Sequence, residues 1–244
     1  MRRIGTGATL VMVLCWGMAA QATPVSGQGT WESTLHARDF NNDNIVDAYY
    51  DSTLDLTWLA DWNNAKTTMF DADGLMDWST ARGWANALNV HGVVGWRLPS
   101  TTDSNNDGCN YSFAGGTDCG YNADTASSEL AHMFYLTLGN KALCPPGDAV
   151  CSVTQVGFGL SNTANFVNVK STYWSGTESA PQPSLAWHFV TSDGEQQVLD
   201  KSEAWFAVAV RPGDVAVGVP EPQALGLLLA GLAVLSMMRR QRAS

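Results

Sequence analysis

The chain has 244 residues, of which 45% are hydrophobic, so it is long enough for one domain with a substantial core. Its basic residues are concentrated at the two ends, and residues 23–219 carry 22 acidic but only eight basic side chains. A body with a formal charge near −14 repels nucleic acid and anionic lipid and attracts cations, which argues against a nucleic-acid partner.

Residues 1–22 have the three parts of a secretory signal peptide. Two arginines precede an apolar region from about residue 8 to residue 20, and the small-x-small sequence AQA ends at Ala22. We therefore expect an exported protein that is cleaved after Ala22. A lipoprotein is the competing interpretation because Cys15 lies in the apolar region, but Leu14 stands where lipidation needs a small residue.

The first half of the body predicts a hairpin and then a helix. Two β-favouring runs flank the turn Asp51-Ser52-Thr53. In "MDWSTARGWANALNVHG", apolar residues recur at helical spacing, Asp77 or Ser79 can begin the helix, and Gly92 can end it. The next segment, "GVVGWRLPS", is predicted to be extended, because Pro99 disfavours a helical backbone conformation at the residue before it.

The second half alternates long loops with a helix and then turns to strands. Residues 101–125 are rich in Gly, Asn, Asp and Ser and predict a long loop. "SSELAHMFYLTLGN" predicts a second helix, with Glu129 in its first turn, and a further loop follows it. Strands are predicted in "STYWSGTE", "SLAWHFVTSDGEQQVL" and "AWFAVAVRP". This order predicts an α+β fold with two helices and a small antiparallel sheet.

Four cysteines remain after removal of the signal peptide, an even number that fits disulfides in an oxidising compartment. Three connectivities are open. We favour Cys109–Cys119 and Cys144–Cys151, because both short segments are rich in Gly or Pro and lack a periodic apolar pattern. Zinc is the alternative, but the C-x9-C and C-x6-C spacings are not those of metal ligands and no histidine accompanies them.

Short motifs spread over residues 49–212 give the body a resemblance to a known family. They are GWRLP, YWSGT, AW and AVRP, and their most distinctive residues are Trp96, Arg97, Pro99, Trp174, Trp187 and Arg211. In this combination the body, taken as residues 30–212, resembles the bacterial DUF1566 family, also described as the C-terminal domain of collagen-like adhesins.

The resemblance implies a C-type-lectin-like fold, akin to that of formylglycine-generating enzymes, with long loops on a small antiparallel sheet. It also implies a secreted or surface binding module, and the family offers no agreed catalytic residues. Formylglycine-generating enzymes use a cysteine pair near the end of the fold, which this chain lacks between Tyr173 and Pro212. That departure puts an oxidase activity in doubt.

The C-terminus, after a linker at residues 213–219, resembles the PEP-CTERM sorting signal at residues 220–244. An apolar segment, residues 224–238, lies between the motif and a basic tip; the matching residues are Pro220, Glu221, Pro222, Arg239, Arg240 and Arg242. The resemblance implies an exosortase partner, an inner-membrane intermediate, and delivery to the cell surface or exopolysaccharide matrix of a Gram-negative bacterium. The fifteen residues of the apolar segment would form about 22 Å of helix, which is shorter than the ~30 Å hydrocarbon core of a bilayer. A processed sorting signal is therefore the favoured interpretation, and a permanent membrane anchor is the alternative.

An acidic loop, "DFNNDNIVD", has the spacing of a calcium loop at its first positions. Asn44 stands where glycine is expected, and Tyr50 replaces the closing acid. The candidate calcium ligands are Asp39, Asn41, Asp43 and Asp47. The segment "DSNNDG", at residues 103–108, also has acidic and amide side chains at the first positions of a calcium loop, but the positions after it lack the later ligands. The alternative for both loops is a solvated, Asx-rich turn.

No catalytic motif accompanies the histidines, which we interpret as structural: His36, His91, His132 and His188. Nine tryptophans in the body suggest sugar binding, although most must lie in the core. The main hypothesis is an exported, non-enzymatic protein that binds a polysaccharide or another surface component. The alternatives are an enzyme on extracellular polymer, through acids such as Asp71, Asp73 and Asp77, and a structural matrix protein without a specific ligand.

Overall fold

The computed structural model describes residues 24–215, so the predicted signal peptide and the PEP-CTERM-like segment lie outside the described residues. Between these limits the fold is mixed α/β, with two sheets, few helices and two disulfides. The disulfides are Cys109–Cys119 and Cys144–Cys151, the pairing that the sequence favours.

The first sheet joins the two ends of the domain. Its strands, all antiparallel, lie in the order β1 (Leu35–Arg38), β2 (Ala48–Asp51), β3 (Leu56–Leu59) and β9 (Val210–Pro212). The hairpin predicted around Asp51 is confirmed as β2 and β3, and Asp51 Oδ1 accepts the backbone N–H of Thr53 at 2.9 Å to close the turn. A one-turn helix, α1 (Trp31–Thr34), leads into β1, an element absent from the prediction.

The second sheet has five strands and carries both disulfide loops. Its order is β4 (Tyr111–Ser112), β5 (Cys119–Tyr121), β8 (Glu195–Asp200), β7 (Leu185–Val190) and β6 (Thr172–Glu178). β4 and β5 are parallel, and all other neighbours are antiparallel. The expectation of one small antiparallel sheet is therefore wrong: there are two sheets, and the second is mixed because a short disulfide-bonded loop places β4 beside β5.

The helices only partly match the two that the sequence predicts. α3 (Trp78–Ala87) begins where expected, with the Asp77 carboxylate accepting the Thr80 N–H at 2.7 Å. It ends at Ala87 and not at Gly92, because Leu88 turns to an extended conformation (ψ 134°). The second prediction becomes α4 (Glu129–His132) followed by a π-helix (Met133–Thr137), and a further single turn, α2 (Asn64–Thr67), was missed.

Tryptophans fill the core and tie the elements together. The indole N–H of Trp78 donates to the Ser175 carbonyl at 2.8 Å, and that of Trp174 donates to the Met76 carbonyl at 2.9 Å. This reciprocal exchange fixes the start of α3 against β6. Seven of the nine tryptophans in residues 24–215 are buried, and Trp31 and Trp205 are partly buried, so packing in the core accounts for most of them, as expected.

A central segment, residues 96–100, connects both sheets and α4. Arg97 exchanges two backbone hydrogen bonds of 2.8 Å with Val210 of β9, and its guanidinium makes two bonds of 2.7 Å to the Glu129 carboxylate of α4. The Pro99 carbonyl accepts the Gly176 N–H of β6 at 2.7 Å. The Arg211 guanidinium donates to backbone carbonyls, including that of Val94 at 3.0 Å.

We predict that Glu129→Gln lowers the free energy of unfolding by about 1–2 kcal/mol, because it weakens a bidentate, charge-assisted pair whose arginine is about one-third exposed. Urea denaturation at neutral pH measures this change. Glu178→Gln is the control, since Glu178 pairs with Lys201 at the surface and its side chain is 46% exposed. Equal effects of the two substitutions would contradict a special role for the central segment.

The burial of His188 predicts that the stability of the fold depends on pH. It lies buried in β7, its Nδ1 has no hydrogen-bond partner among the described residues, and burial lowers its pKa from 6.5 to about 4. The unfolded chain therefore binds a proton at a higher pH than the folded chain does. The resulting stabilisation is complete above pH 6.5 and is lost as the pH falls towards 4, by roughly 3 kcal/mol in total.

Urea denaturation between pH 7 and pH 4.5 tests this dependence in the wild type and in His188→Gln. We expect a smaller loss of stability on acidification in the variant, because the buried group that titrates is gone. His36→Gln, at an exposed position of β1, should keep the wild-type profile. A profile that is unchanged in His188→Gln would show that other groups cause the acid sensitivity.

Candidate functional site

Three aromatic rings form a cluster at the edge of the second sheet, which we call the aromatic face: Tyr111, Phe113 and Tyr121. Tyr111 and Phe113 are 41% and 37% exposed, and their ring centroids lie 5.1 Å apart in an edge-on arrangement. Tyr121 is buried beneath them, with its ring stacked at 6.0 Å from that of Phe113. The outer rings are thus held by packing while part of their surface stays open to solvent.

The backbone beneath the aromatic face has little freedom. Gly120 in β5 has a φ of +90°, and a Cβ at this position would lie 2.1 Å from the Ser112 carbonyl oxygen of β4. Only glycine allows the two strands to approach so closely. The Cys109–Cys119 disulfide closes the same loop, so the positions of Tyr111 and Phe113 are fixed covalently as well as by packing.

The second disulfide loop lies against the first. The Asn122 side-chain amide donates to the carbonyls of Phe113 at 3.2 Å and of Cys144 at 3.0 Å. The Gly147 N–H donates to the Ala114 carbonyl at 2.8 Å. This second loop and the residues after it present exposed apolar side chains: Val150, Val153, Val156 and Phe158.

Carboxylates border the aromatic face. The Tyr111 hydroxyl donates to the Glu195 carboxylate of β8, and burial together with this bond raises the pKa of Tyr111. Burial, with the charges of Glu195 and Asp193, raises the pKa of Tyr121 to about 12. Burial also raises the pKa of Asp193. The tyrosines therefore stay neutral, and the face offers rings for apolar contact beside carboxylate oxygens that can accept hydrogen bonds from hydroxyls.

The predicted calcium ligands share the loop between β1 and β2. The Asp39 carboxylate accepts the N–H of Asn44 at 2.8 Å, and that of Asp43 accepts the Ile45 N–H at 2.8 Å. Asp47 accepts the Phe40 N–H at 2.7 Å, and Asn41 donates to Asp43 at 2.8 Å. Within residues 24–215 no three His, Cys, Asp or Glu side chains are grouped to hold a metal ion. Calcium at this loop stays a prediction.

A cleft with a volume of about 540 Å³ lies beside this loop. Aliphatic side chains such as Ile45, Leu59 and Val167 line much of it, together with Asp61 and His91. No phenylalanine, tyrosine or tryptophan lines the cleft. It therefore lacks the flat aromatic surface that the aromatic face provides.

The acids considered for catalysis have local structural roles. Asp71 Oδ1 accepts the N–H groups of Gly74 at 2.8 Å and Asp73 at 3.1 Å, and these bonds lower the pKa of Asp71. Asp73 accepts the Leu75 N–H at 2.9 Å, and Asp77 caps α3. A general acid needs a raised pKa, so the environment of Asp71 does not suit that role.

Sequence reasoning missed the aromatic face. Tyr111 and Phe113 are two residues apart and follow Cys109 closely, in a segment that was predicted to be an irregular loop. The only local signal was the pair of aromatic residues at alternate positions shortly after Cys109, which would point to the same side of an extended segment. Glu195 could not have been found, because it is 84 residues from Tyr111 in the sequence.

Comparison of the chain with models of known protein families and with curated proteins found no match. The resemblances to DUF1566 and PEP-CTERM therefore stay predictions. The two disulfides indicate an extracellular or periplasmic protein. In the part of the chain that the structure describes, no helix has the length and apolar character needed to cross a bilayer.

Replacing both Cys109 and Cys119 by serine should lower the free energy of unfolding by roughly 2–3 kcal/mol, because the closed loop spans ten residues. Hydrogen exchange at β4 should also become faster. The matched control is the pair Cys144→Ser and Cys151→Ser, which should speed exchange mainly in its own loop. Unchanged exchange at β4 in the first variant would show that the disulfide does not hold the aromatic face.

Proposed function

We propose that this protein is an exported, non-enzymatic component of the cell surface or exopolysaccharide matrix that binds a polysaccharide through the aromatic face. The observation that carries the proposal is the exposed, rigidly held ring pair of Tyr111 and Phe113 beside the Glu195 carboxylate. The C–H surface of a sugar ring packs against aromatic rings, while sugar hydroxyls donate to carboxylates.

The charge of the body narrows the class of polysaccharide. Residues 23–219 carry a formal charge near −14, and Glu195 and Asp193 border the face itself. A polymer of uronic acids or sulfated sugars would be repelled by this surface. We therefore favour a neutral polysaccharide as the ligand.

The proposal includes the route by which the protein reaches its ligand. The PEP-CTERM-like segment would hold the chain at the inner membrane until an exosortase processes it, after which the domain reaches the surface or the matrix. A C-type-lectin-like domain is part of the same proposal. Its support is the arrangement in which β9 returns beside β3, while long loops tied by disulfides extend from the other sheet.

Affinity electrophoresis of the mature protein in gels containing neutral polysaccharides tests the proposal. We expect retardation by at least one neutral polymer, and a loss of affinity of about tenfold or more in Tyr111→Ala and in Phe113→Ala, since aromatic anchors dominate binding energy. Phe70→Ala is the matched control, because Phe70 is an exposed aromatic residue in the loop after α2.

Two results would contradict the proposal. Equal retardation of all variants would remove the aromatic face from the binding site, and retardation only by polyanionic polymers would remove the inferred ligand class. Reducing ends are measured in the same samples, because Asp193, with its raised pKa, lies near Glu195 at this face. Release of sugar that stops in Asp193→Asn would favour the alternative function, an enzyme acting on extracellular polymer.

A further inference from the structure

A pocket of about 170 Å³ lies where α3, the central segment and β6 meet. The residues that line it are Arg82, Asn86, Arg97, Leu98, Ser100, Gly176 and Thr177. Two of the eight basic residues in residues 23–219 are among them, and no aspartate or glutamate is. A body with a formal charge near −14 therefore contains a pocket whose charged wall residues are both arginines.

Arg82 is the cation of this pocket that lacks a counter-charge. Its side chain makes no hydrogen bond or ion pair with any residue that the structure describes. The guanidinium carbon lies 4.5 Å from the ring centroid of Trp78, one turn earlier on α3. A contact of this kind orders a guanidinium but uses none of its N–H donors, because the ring attracts the charge through its face. The donors of Arg82 are therefore free for a ligand.

The carboxylates nearest to the pocket are already engaged with other cations. Glu129 makes two bonds of 2.7 Å to the Arg97 guanidinium, and Glu178, which follows Thr177, pairs with Lys201. Neither acid forms an ion pair with Arg82. The pocket thus keeps one unpaired positive charge.

Neutral donors accompany this charge. Asn86 lies four residues after Arg82, on the same face of α3. Neither the Asn86 amide nor the Ser100 hydroxyl makes a hydrogen bond with a residue between 24 and 215. An ionised carboxylate has two oxygens that accept several N–H and O–H groups, and a guanidinium is its best single donor. The free groups at this pocket match that requirement.

An interruption of the second sheet forms the opposite wall. The pairing of β6 with β7 shifts register between Trp174 and Glu178, and Gly176 and Thr177 lie inside this shift. The Gly176 N–H donates to the Pro99 carbonyl at 2.7 Å, so β6 is bonded here to the central segment and not only to its neighbouring strand. Such irregularities are over-represented beside functional sites because they change the direction in which side chains point.

We propose that this pocket binds a small carboxylate, with Arg82 as the charged donor and Asn86 and Ser100 as neutral donors. One unpaired cation balances the single charge of a carboxylate, whereas phosphate brings nearly two charges into a body that is already acidic. The volume equals that of about five or six water molecules, which admits one carboxylate-bearing group. Salt limits the repulsion by distant acids to roughly 8 Å, so the local arginine decides which ions enter.

The carboxylate site is separate from the aromatic face. The aromatic face lies at the β4 edge of the second sheet, and the pocket lies at its β6 edge. Tyr111→Ala should therefore keep carboxylate binding. Failure of polysaccharide binding leaves this proposal standing, and failure of carboxylate binding leaves the other.

The test is a nuclear magnetic resonance titration of the mature protein with sodium glucuronate and with sodium N-acetylglycinate, at low ionic strength. We expect saturable shifts of the Arg82 Nε–H signal and of the backbone amides of Ser100 and Thr177. The expected dissociation constant is about 1–10 mM, since only a few polar contacts are made. Saturation by glucuronate alone would identify a sugar acid as the source of the carboxylate, and saturation by N-acetylglycinate alone an amino acid or peptide; either result supports the proposal.

Arg82→Gln should weaken binding by about tenfold or more, because it removes the charged donor. Lys66→Gln is the matched control, since it removes one exposed positive charge from α2 and should leave binding unchanged. Asn86→Ala, at an exposed position of α3, gives a second measurement and should weaken binding by about fivefold. Near-ultraviolet circular dichroism checks that each variant is folded.

Four results would overturn the proposal. They are the absence of saturable shifts up to about 50 mM, well above the expected dissociation constant; equal weakening in Arg82→Gln and Lys66→Gln; equal binding of the uncharged analogues glucose and N-acetylglycinamide; and tighter binding of inorganic phosphate than of either carboxylate. The second result would reduce the effect to net charge, and the last two would remove the carboxylate as the ligand class.

Discussion

Arg97 is the residue on which the arrangement of the two sheets most depends. Its backbone is bonded to β9 of the first sheet, its guanidinium to Glu129 of α4, and the carbonyl of the neighbouring Pro99 to β6 of the second sheet. Glu129 also accepts the Ser100 N–H at 2.7 Å, so one carboxylate holds both ends of the turn. An irregular segment can connect the sheets here because Arg97, Pro99 and Ser100 each make hydrogen bonds to a different element or to Glu129.

The aromatic face depends on strand β5, Cys119–Tyr121. Cys119 carries the disulfide, Gly120 allows β4 to approach, and the Tyr121 ring stacks beneath that of Phe113. Three consecutive residues thus provide a covalent link, a close strand contact and a ring stack. A domain that is acidic and rich in loops can in this way hold a small, well-ordered binding surface.

Local patterns predicted the elements whose cause is local. α3 could be found because Asp77 caps it and apolar residues recur at helical spacing, and the β2–β3 hairpin because its turn is closed by Asp51. Strand β4 has two residues, too few to show alternation, and the π-helix after α4 has no distinct sequence signal. The aromatic face depends on Glu195, whose position beside Tyr111 follows from sheet pairing, and sequence spacing alone does not give that pairing.

The pairing of β3 with β9 has a consequence for the order of folding. It joins residues 56–58 to residues 210–212, so the first sheet is incomplete until nearly the whole domain has been synthesised. Both disulfides, in contrast, close loops of ten residues or fewer and need no distant segment. Oxidation of the loops can therefore come early, while long-range strand closure comes last and limits the rate. A chain that lacks residues 210–212 would leave β3 with an unpaired edge, open to association with other chains.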